Sequence, residues 1–366
     1  MLRSRHRGQI NSTPSRDCRT IAAIDLGTNS CRLLIAKVEG QAFQVIDSFS
    51  RVVRLGESVH TTNRLTEAAI QRAIDALRIC QEKIENNKVC HLRAVTTEAC
   101  RRAENSDELV KRALNELGLS IDIISPEEEA RLALAGCAGV LNSRIPFALA
   151  FDIGGGSTEI MWLRINEPRR LHRRRFPVIE VIDCISLPYG VVTLCDRYNN
   201  QSYDLDIYNE IRGEIAELLA DFSERNNIPA TITRQKVQMI GTSGTVTTLA
   251  AISLNLERYD RRMIDGVSLE ISDIHRMCAE IFALNPEQRA NHPCIGAGRT
   301  DLVVMGTSIL EGICDTWPVP RLRVADRGVR EGILMELVKE MYPSKPVHPR
   351  FVKKLRNQDA RTNTNS

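Results

Sequence analysis

The 366-residue chain has no Cys-x-x-Cys pair, no histidine cluster, no apolar run of membrane-spanning length and few aromatic side chains. Each absence removes a class of protein. A helix that crosses a bilayer needs about 20 consecutive apolar residues, so no membrane partner is expected. Eleven cysteines stand singly along the chain. An odd number of them, with no histidines alongside, supplies neither a disulfide framework nor a structural zinc site, and fits a reducing, cytoplasmic setting. The N-terminal stretch MLRSRHRGQINSTPSRDCRT is basic but lacks the apolar segment of a secretory signal. Charge argues against dedicated nucleic-acid binding. The first 20 residues carry +4 and residues 343–366 carry +5, against +3 for the whole chain, so the body between them carries −6. Residues 1–19 and 343–366 are polar, poor in apolar residues, and read as disordered basic tails.

What is present is one glycine turn made twice. AAIDLGTNSCRL at 22–33 and AFDIGGGSTEI at 150–160 each run an apolar strand into an aspartate, a glycine turn, a polar run and a second apolar strand. That is the pattern of a β-hairpin. Glycine lets backbone N–H groups approach a ligand, reaches φ > 0 freely, and in a run of such groups makes an anion nest. Thr28, Ser30, Ser157 and Thr158 add hydroxyls, and Asp25 and Asp152 end the strands, placed to hold a cation or an attacking water. One such turn is weak evidence of a site, but two matching copies are strong. A third turn, GTSGT at 241–245, lies between a strand and a helix. There Gly241 and Ser243 stand at a helix N-terminus suited to an anion.

The remaining pattern predicts alternating strands and helices in two batches. A helix follows Thr66 with Ile70, Ile74, Leu77 and Ile84 on one face, and a strand covers 89–96. Helices at about 97–104 and 106–118, the second opened by Ser106 and closed by Gly118, lead to the strand SIDII. In SPEEEARLALAG (125–136) Ser125 is the N-cap, Pro126 the first helical residue and Glu128 the third, a capping box opening a helix over 126–141. Further helices are expected over 204–225, 244–254, 271–284 and 301–314, then the strand RLRVAD and a last helix. The result is α/β: one domain over 20–145, a second over 146–342, and a final helix over 328–342 free to pack back across the joint.

Taken in order, DLGTNSCRLLI, TTEACRRAEN (96–105), IISPEEEARLALAG (123–136), DIGGGSTEI, IGTSGTVTTLA, GRTDLVVMGTSILEGI (298–313) and VADRGVREGIL (324–334) resemble the exopolyphosphatase / guanosine pentaphosphate phosphohydrolase (Ppx/GppA) family. That family belongs to the superfamily of actin-like ATPases and sugar kinases. The resemblance covers about 21–342 and implies two ribonuclease H-like α/β domains with an interdomain cleft. It also implies a magnesium-dependent hydrolase that removes a terminal phosphate from polyphosphate or guanosine pentaphosphate. The family's catalytic glutamate precedes an Ala-Arg pair, which here is Glu129. Glu128 sits at the capping position, and Glu129 lies about 100° further round the helix, free to face the joint. Asp152 and Glu159 resemble the metal-side carboxylates, with Asp25 a further contributor to Mg2+. Gly154, Gly155, Gly156, Ser157 and Thr158 would hold phosphate from one side, and Thr28, Asn29 and Ser30 from the other. Arg101 matches an arginine that clamps phosphate. The chain departs from the family's frequent Ser-Gly at Ser125-Pro126, which a first helical position accepts.

Three other readings remain open: a kinase of the same superfamily, an actin-like ATPase, and a non-catalytic sensor of alarmone or polyphosphate. The 4% aromatic content leaves few rings to stack a guanine and tilts the substrate towards polyphosphate. The basic stretch RRLHRRRF (169–176) would guide such a chain or merely solvate a hairpin tip, and a homodimer would continue a basic groove across subunits. His60, His91, His172, His275 and His292 lack partner spacing and read as structural, and Trp162 reads as core.

Overall fold

A computed structural model describes residues 19–166, 178–198 and 204–342. The stretch 169–176, His172 and nearly all of both tails lie outside the described residues. The first sheet contains β1 (Thr20–Leu26), β2 (Ser30–Glu39), β3 (Ala42–Val52), β4 (His91–Thr96) and β5 (Ile121–Ile123), in the order β3-β2-β1-β4-β5. β1 runs antiparallel to β2 and parallel to β4. The second sheet contains β6 (Phe147–Ile153), β7 (Thr158–Asn166), β8 (Val178–Leu187), β9 (Val237–Thr242), β10 (Ser268–Glu270) and β11 (Arg321–Ala325). Its order is β10-β11-β9-β6-β7-β8. Omitting the short β10, the path β8-β7-β6-β9-β11 repeats the first sheet, with β6 antiparallel to β7 and parallel to β9. The central strands β1 and β6 are continuous apolar runs because both faces of each sheet are covered.

Local chemistry sets the helix ends. The helix Glu67–Asn86 starts where Thr66 Oγ1 accepts from Ala69 N at 3.1 Å, and it buries Ile70, Ile74, Leu77 and Ile84. The helix Ser106–Leu117 is preceded by Asn105 rather than opened by Ser106 as a cap. The Asn105 amide instead joins Leu65, accepting from its N–H at 2.8 Å and donating to its carbonyl at 3.1 Å. Gly118 ends this helix at φ 66°, where a side chain would be strained. Pro126–Cys137 is shorter than expected and passes into a tight turn over Ala138–Val140.

The last helix, Val329–Met341, lies against Pro126–Cys137 and β1. Two glycines permit this: a Cβ on Gly136 would run into the Gly328 carbonyl, and one on Gly332 into the Leu132 carbonyl. Val329, Ile333, Leu334 and Val338 thereby share one apolar cluster with Ile21, Ala23, Leu34 and Val38. Trp162 is a core residue, stacked on Phe147 with ring centroids 5.3 Å apart. Among the described residues nine cysteines are free thiols, eight of them buried, whereas Cys90 departs from the expectation of single cysteines by being disulfide-bonded.

Candidate active site between the two hairpins

The β1–β2 and β6–β7 turns have the same construction. Leu26 pairs with Cys31 and Ile153 with Thr158, so each turn spans four residues, 27–30 and 154–157. In each, the first N–H donates to the fourth carbonyl: Gly27 to Ser30 at 3.0 Å, and Gly154 to Ser157 at 2.9 Å. The middle carbonyls are held by each turn's own domain. Asn29 O accepts from Val53 N and Arg54 N, and Thr28 O from Gly56 N. Gly154 O and Gly155 O accept from Val191 N and Val192 N, the first turn of the helix Val191–Arg197. The N–H groups of Thr28, Asn29, Gly155 and Gly156 donate to no group of the described residues. An anion nest needs such donors.

The two turns meet tip to tip. A Cβ on Gly155 would lie 3.0 Å from Asn29 N and from Thr28 Cβ, and one on Gly156 would lie 2.9 Å from Thr28 Oγ1. None of Gly27, Gly154, Gly155 and Gly156 has positive φ. Close approach, not left-handed backbone, is therefore what these glycines provide. At the rim, Ser58 N donates to Asp196 Oδ2 at 2.9 Å, and Arg54 faces Asp301 at 3.6 Å, tying the first domain to the second.

Strand register places the charges. Asp25 lies opposite Arg32 on the first hairpin, and Asp152 opposite Glu159 on the second. Duplication has thus put a cation and an anion at matching positions. Burial pushes the Asp152 carboxyl up to about 7, and the charges of Glu159 and Asp25 add to this against Arg32. Burial also raises Asp25, opposed by Arg32 and Arg330. Glu159 is raised by burial although the Ser157 and Ser186 hydroxyls donate to its Oε1 at 2.5 and 3.1 Å.

Glu129 enters from the N-terminus of Pro126–Cys137. Ser125 Oγ accepts from Glu128 N at 3.2 Å, fixing the first turn. The Glu128 carboxylate takes the Arg93 guanidinium at 2.6 Å, while Glu129 Oε2 accepts from Arg101 Nη1 at 2.8 Å. Arg101 is no exposed helix arginine: its side chain is 14% exposed, and it also donates to Ile124 O and Glu98. Burial works against its charge, but Glu129 and Glu98 outweigh that and raise its pKa. Burial, with Glu159 and Asp25 assisting and Arg101 opposing, pushes the Glu129 carboxyl up to about 8. A carboxyl perturbed in this way is a candidate acid–base group.

Other sequence-derived site residues lie elsewhere. Thr158 is fully buried, and its hydroxyl donates to Tyr189 O at 2.6 Å, so it supports the hairpin from its packed side. Gly241 is in β9, where a Cβ would lie 2.8 Å from the Phe151 ring; packing explains this glycine. Ser243 caps the helix Gly244–Ser253 by accepting from Val246 N at 3.3 Å, from a strained φ of 142°. Ser30 begins β2 beside the turn. Three arginines were missed. The charge of Arg32 acts on both Arg299 and Arg330, and burial lowers both of these. Arg32 was legible, because it holds the place opposite Asp25 that Glu159 holds opposite Asp152. Glu98 was missed because a glutamate in a charged helix carries no signal of its own.

Residues 34–341 match the Ppx/GppA phosphatase family. Exopolyphosphatase 2 of Mycobacterium tuberculosis is 29% identical over 333 residues, covering 87% of this chain and 98% of that protein. The guanosine-5'-triphosphate,3'-diphosphate pyrophosphatase of Photobacterium profundum is 28% identical over 339 residues, covering 87% of this chain and 59% of that longer protein. Among solved structures, the Aquifex aeolicus Ppx/GppA family member superposes with a TM-score of 0.69 at 29% identity, over 88% of this chain and 98% of the other. The fold is accordingly that of two actin-like α/β domains, and the chain belongs to the Ppx/GppA phosphatase family.

Proposed function

We propose that the chain hydrolyses a terminal phosphoanhydride, releasing inorganic phosphate from linear polyphosphate or from the 5′ end of guanosine pentaphosphate. The observation that carries this reading is Glu129, a largely enclosed carboxylate gripped by Arg101 and within range of the charges of Glu159 and Asp25 on the two hairpins. The four N–H groups of Thr28, Asn29, Gly155 and Gly156 suit the oxygens of the terminal phosphate. Arg101 supplies further donors. Glu129 orients a water in line with the P–O bond and takes its proton as the oxygen–phosphorus bond forms. The bridging oxygen leaves with the shortened chain.

Asp152, with Asp25 and Glu159 beside it, offers the oxygens for Mg2+. No three of the described metal-binding side chains form a complete cage. That donor set suits an ion that takes one or two carboxylates and fills its shell with phosphate oxygens and water. When bound, magnesium would neutralise charge on the transferring phosphoryl group.

The relatives' names support both substrates. The test is phosphate release with magnesium from long-chain polyphosphate and guanosine pentaphosphate, at matched terminal phosphate. Release from at least one is expected, and its rate ratio assigns the substrate; release from neither overturns the reading.

A further inference from the structure

Arg101 presents two sides. Its Nη1 is held firmly, at 2.8 Å from Glu129 Oε2 and 2.9 Å from the Ile124 carbonyl. Among the described residues, the Nε–Nη2 edge, the fork that matches a carboxylate or phosphate bidentately, meets only one oxygen. Glu98 Oε2 accepts from both nitrogens there, at 3.3 and 3.1 Å. Charge-assisted bonds of this kind prefer about 2.7–2.9 Å, so the fork is filled but loosely.

The Glu98 side chain also lies over the second hairpin turn. A Cβ on Gly156 would be 2.7 Å from Glu98 Cγ and 3.1 Å from its Cβ. The Gly156 N–H donates to no group of the described residues, and Glu98 touches both this turn and the arginine. It is only 19% exposed at its side chain. Its negative charge would repel an arriving phosphate. A second partner is within reach, because Arg102 Nη1 lies 4.0 Å from Glu98 Oε1 on the same short helix.

We propose that Glu98 is a placeholder anion: its carboxylate fills the Nε–Nη2 fork of Arg101 in the free protein and cedes it to the substrate's terminal phosphate, turning to Arg102. Glu98 thereby weakens phosphate binding and favours release of the product. The inference rests on Arg101 being a phosphate clamp, as in the proposed function. A plain buttress for Arg101 would have the opposite sign, since its loss would loosen the clamp and weaken binding.

The experiment is calorimetric titration of inorganic phosphate, at fixed magnesium, into the wild-type protein, Glu98→Gln and Glu98→Ala, with thermal melts to check folding. Relief of a like-charge contact should tighten phosphate binding about tenfold in both variants, and KM for the preferred substrate should fall in parallel. Unchanged or weaker phosphate binding in Glu98→Gln overturns the proposal. The titration needs no turnover, so it is decided separately from the hydrolase reading, which fails only if the wild-type protein releases no phosphate.

Discussion

In the proposed function a single carboxylate acts as the base, and its titration should be visible in the rate. With its pKa pushed up to about 8 by burial and then by Glu159, Glu129 is mostly protonated at neutral pH and becomes a competent base as pH rises. We expect kcat/KM to rise from pH 6 and level off above about 8, since this parameter reports the free enzyme's groups. A flat profile would refute the assignment. Steric fit at the turn makes a second prediction. A Cβ on Gly190 would run into the Gly155 carbonyl and Gly156 N, while the Gly190 φ of −124° suits any residue. Gly190→Ala should cost about 1–3 kcal/mol from overpacking alone and reduce turnover by shifting the cradle. Thermal melts and phosphate release on the same sample check both. Thr158 and Gly241 are held by packing within the second domain. Residue type suggested substrate contact, but the side of the strand they face depends on pairing with β8 and packing on Phe151.

At the level of elements, caps position the site. Ser125 fixes the first turn of Pro126–Cys137 and so the direction of Glu129. Ser125→Ala should cost about 1 kcal/mol, together with a loss of kcat, read by melts and turnover. Glu331 opens the last helix by accepting from Gly328 N at 2.8 Å and pairing with Arg261. Burial pushes its carboxyl up, but Arg330, Arg261 and the Gly328 N–H outweigh this and leave its pKa below the ordinary 4.5. A depressed carboxyl stabilises the fold fully above the unfolded value and loses that contribution as pH falls through the folded one. Wild-type stability should therefore drop below about pH 4.5 more steeply than that of Glu331→Gln, as thermal melts from pH 3 to 7 would show. Most long elements were legible, because apolar periodicity and caps such as Thr66 and Ser125 are local. The segments Val191–Arg197 and β10 were not. The former is defined by amides that hold Gly154 and Gly155, and β10, at three residues, is too short to show a period.

For the whole molecule, the last helix joins the two halves. Val329, Ile333, Leu334 and Val338 bury their side chains in the first domain's cluster. At about 1.5–3 kcal/mol for each such side chain, their loss is of the order of a domain's entire stability, about 5–15 kcal/mol. A chain ending at Asp326 should fail to give a cooperative melt, whereas a stable, cooperative melt would show that the helix is dispensable. Duplication was readable from the two glycine hairpins. That the two turns face each other was expected too, but how closely Gly155 approaches Asn29 was not, because that depends on how the two domains dock.

The most direct test of the central claim is phosphate release by Glu129→Gln alongside equilibrium binding of the same substrate. Loss of a general base predicts a fall in kcat of about 10²–10⁴ with binding retained. Turnover within a few-fold of wild type would contradict the assignment of Glu129 as the base.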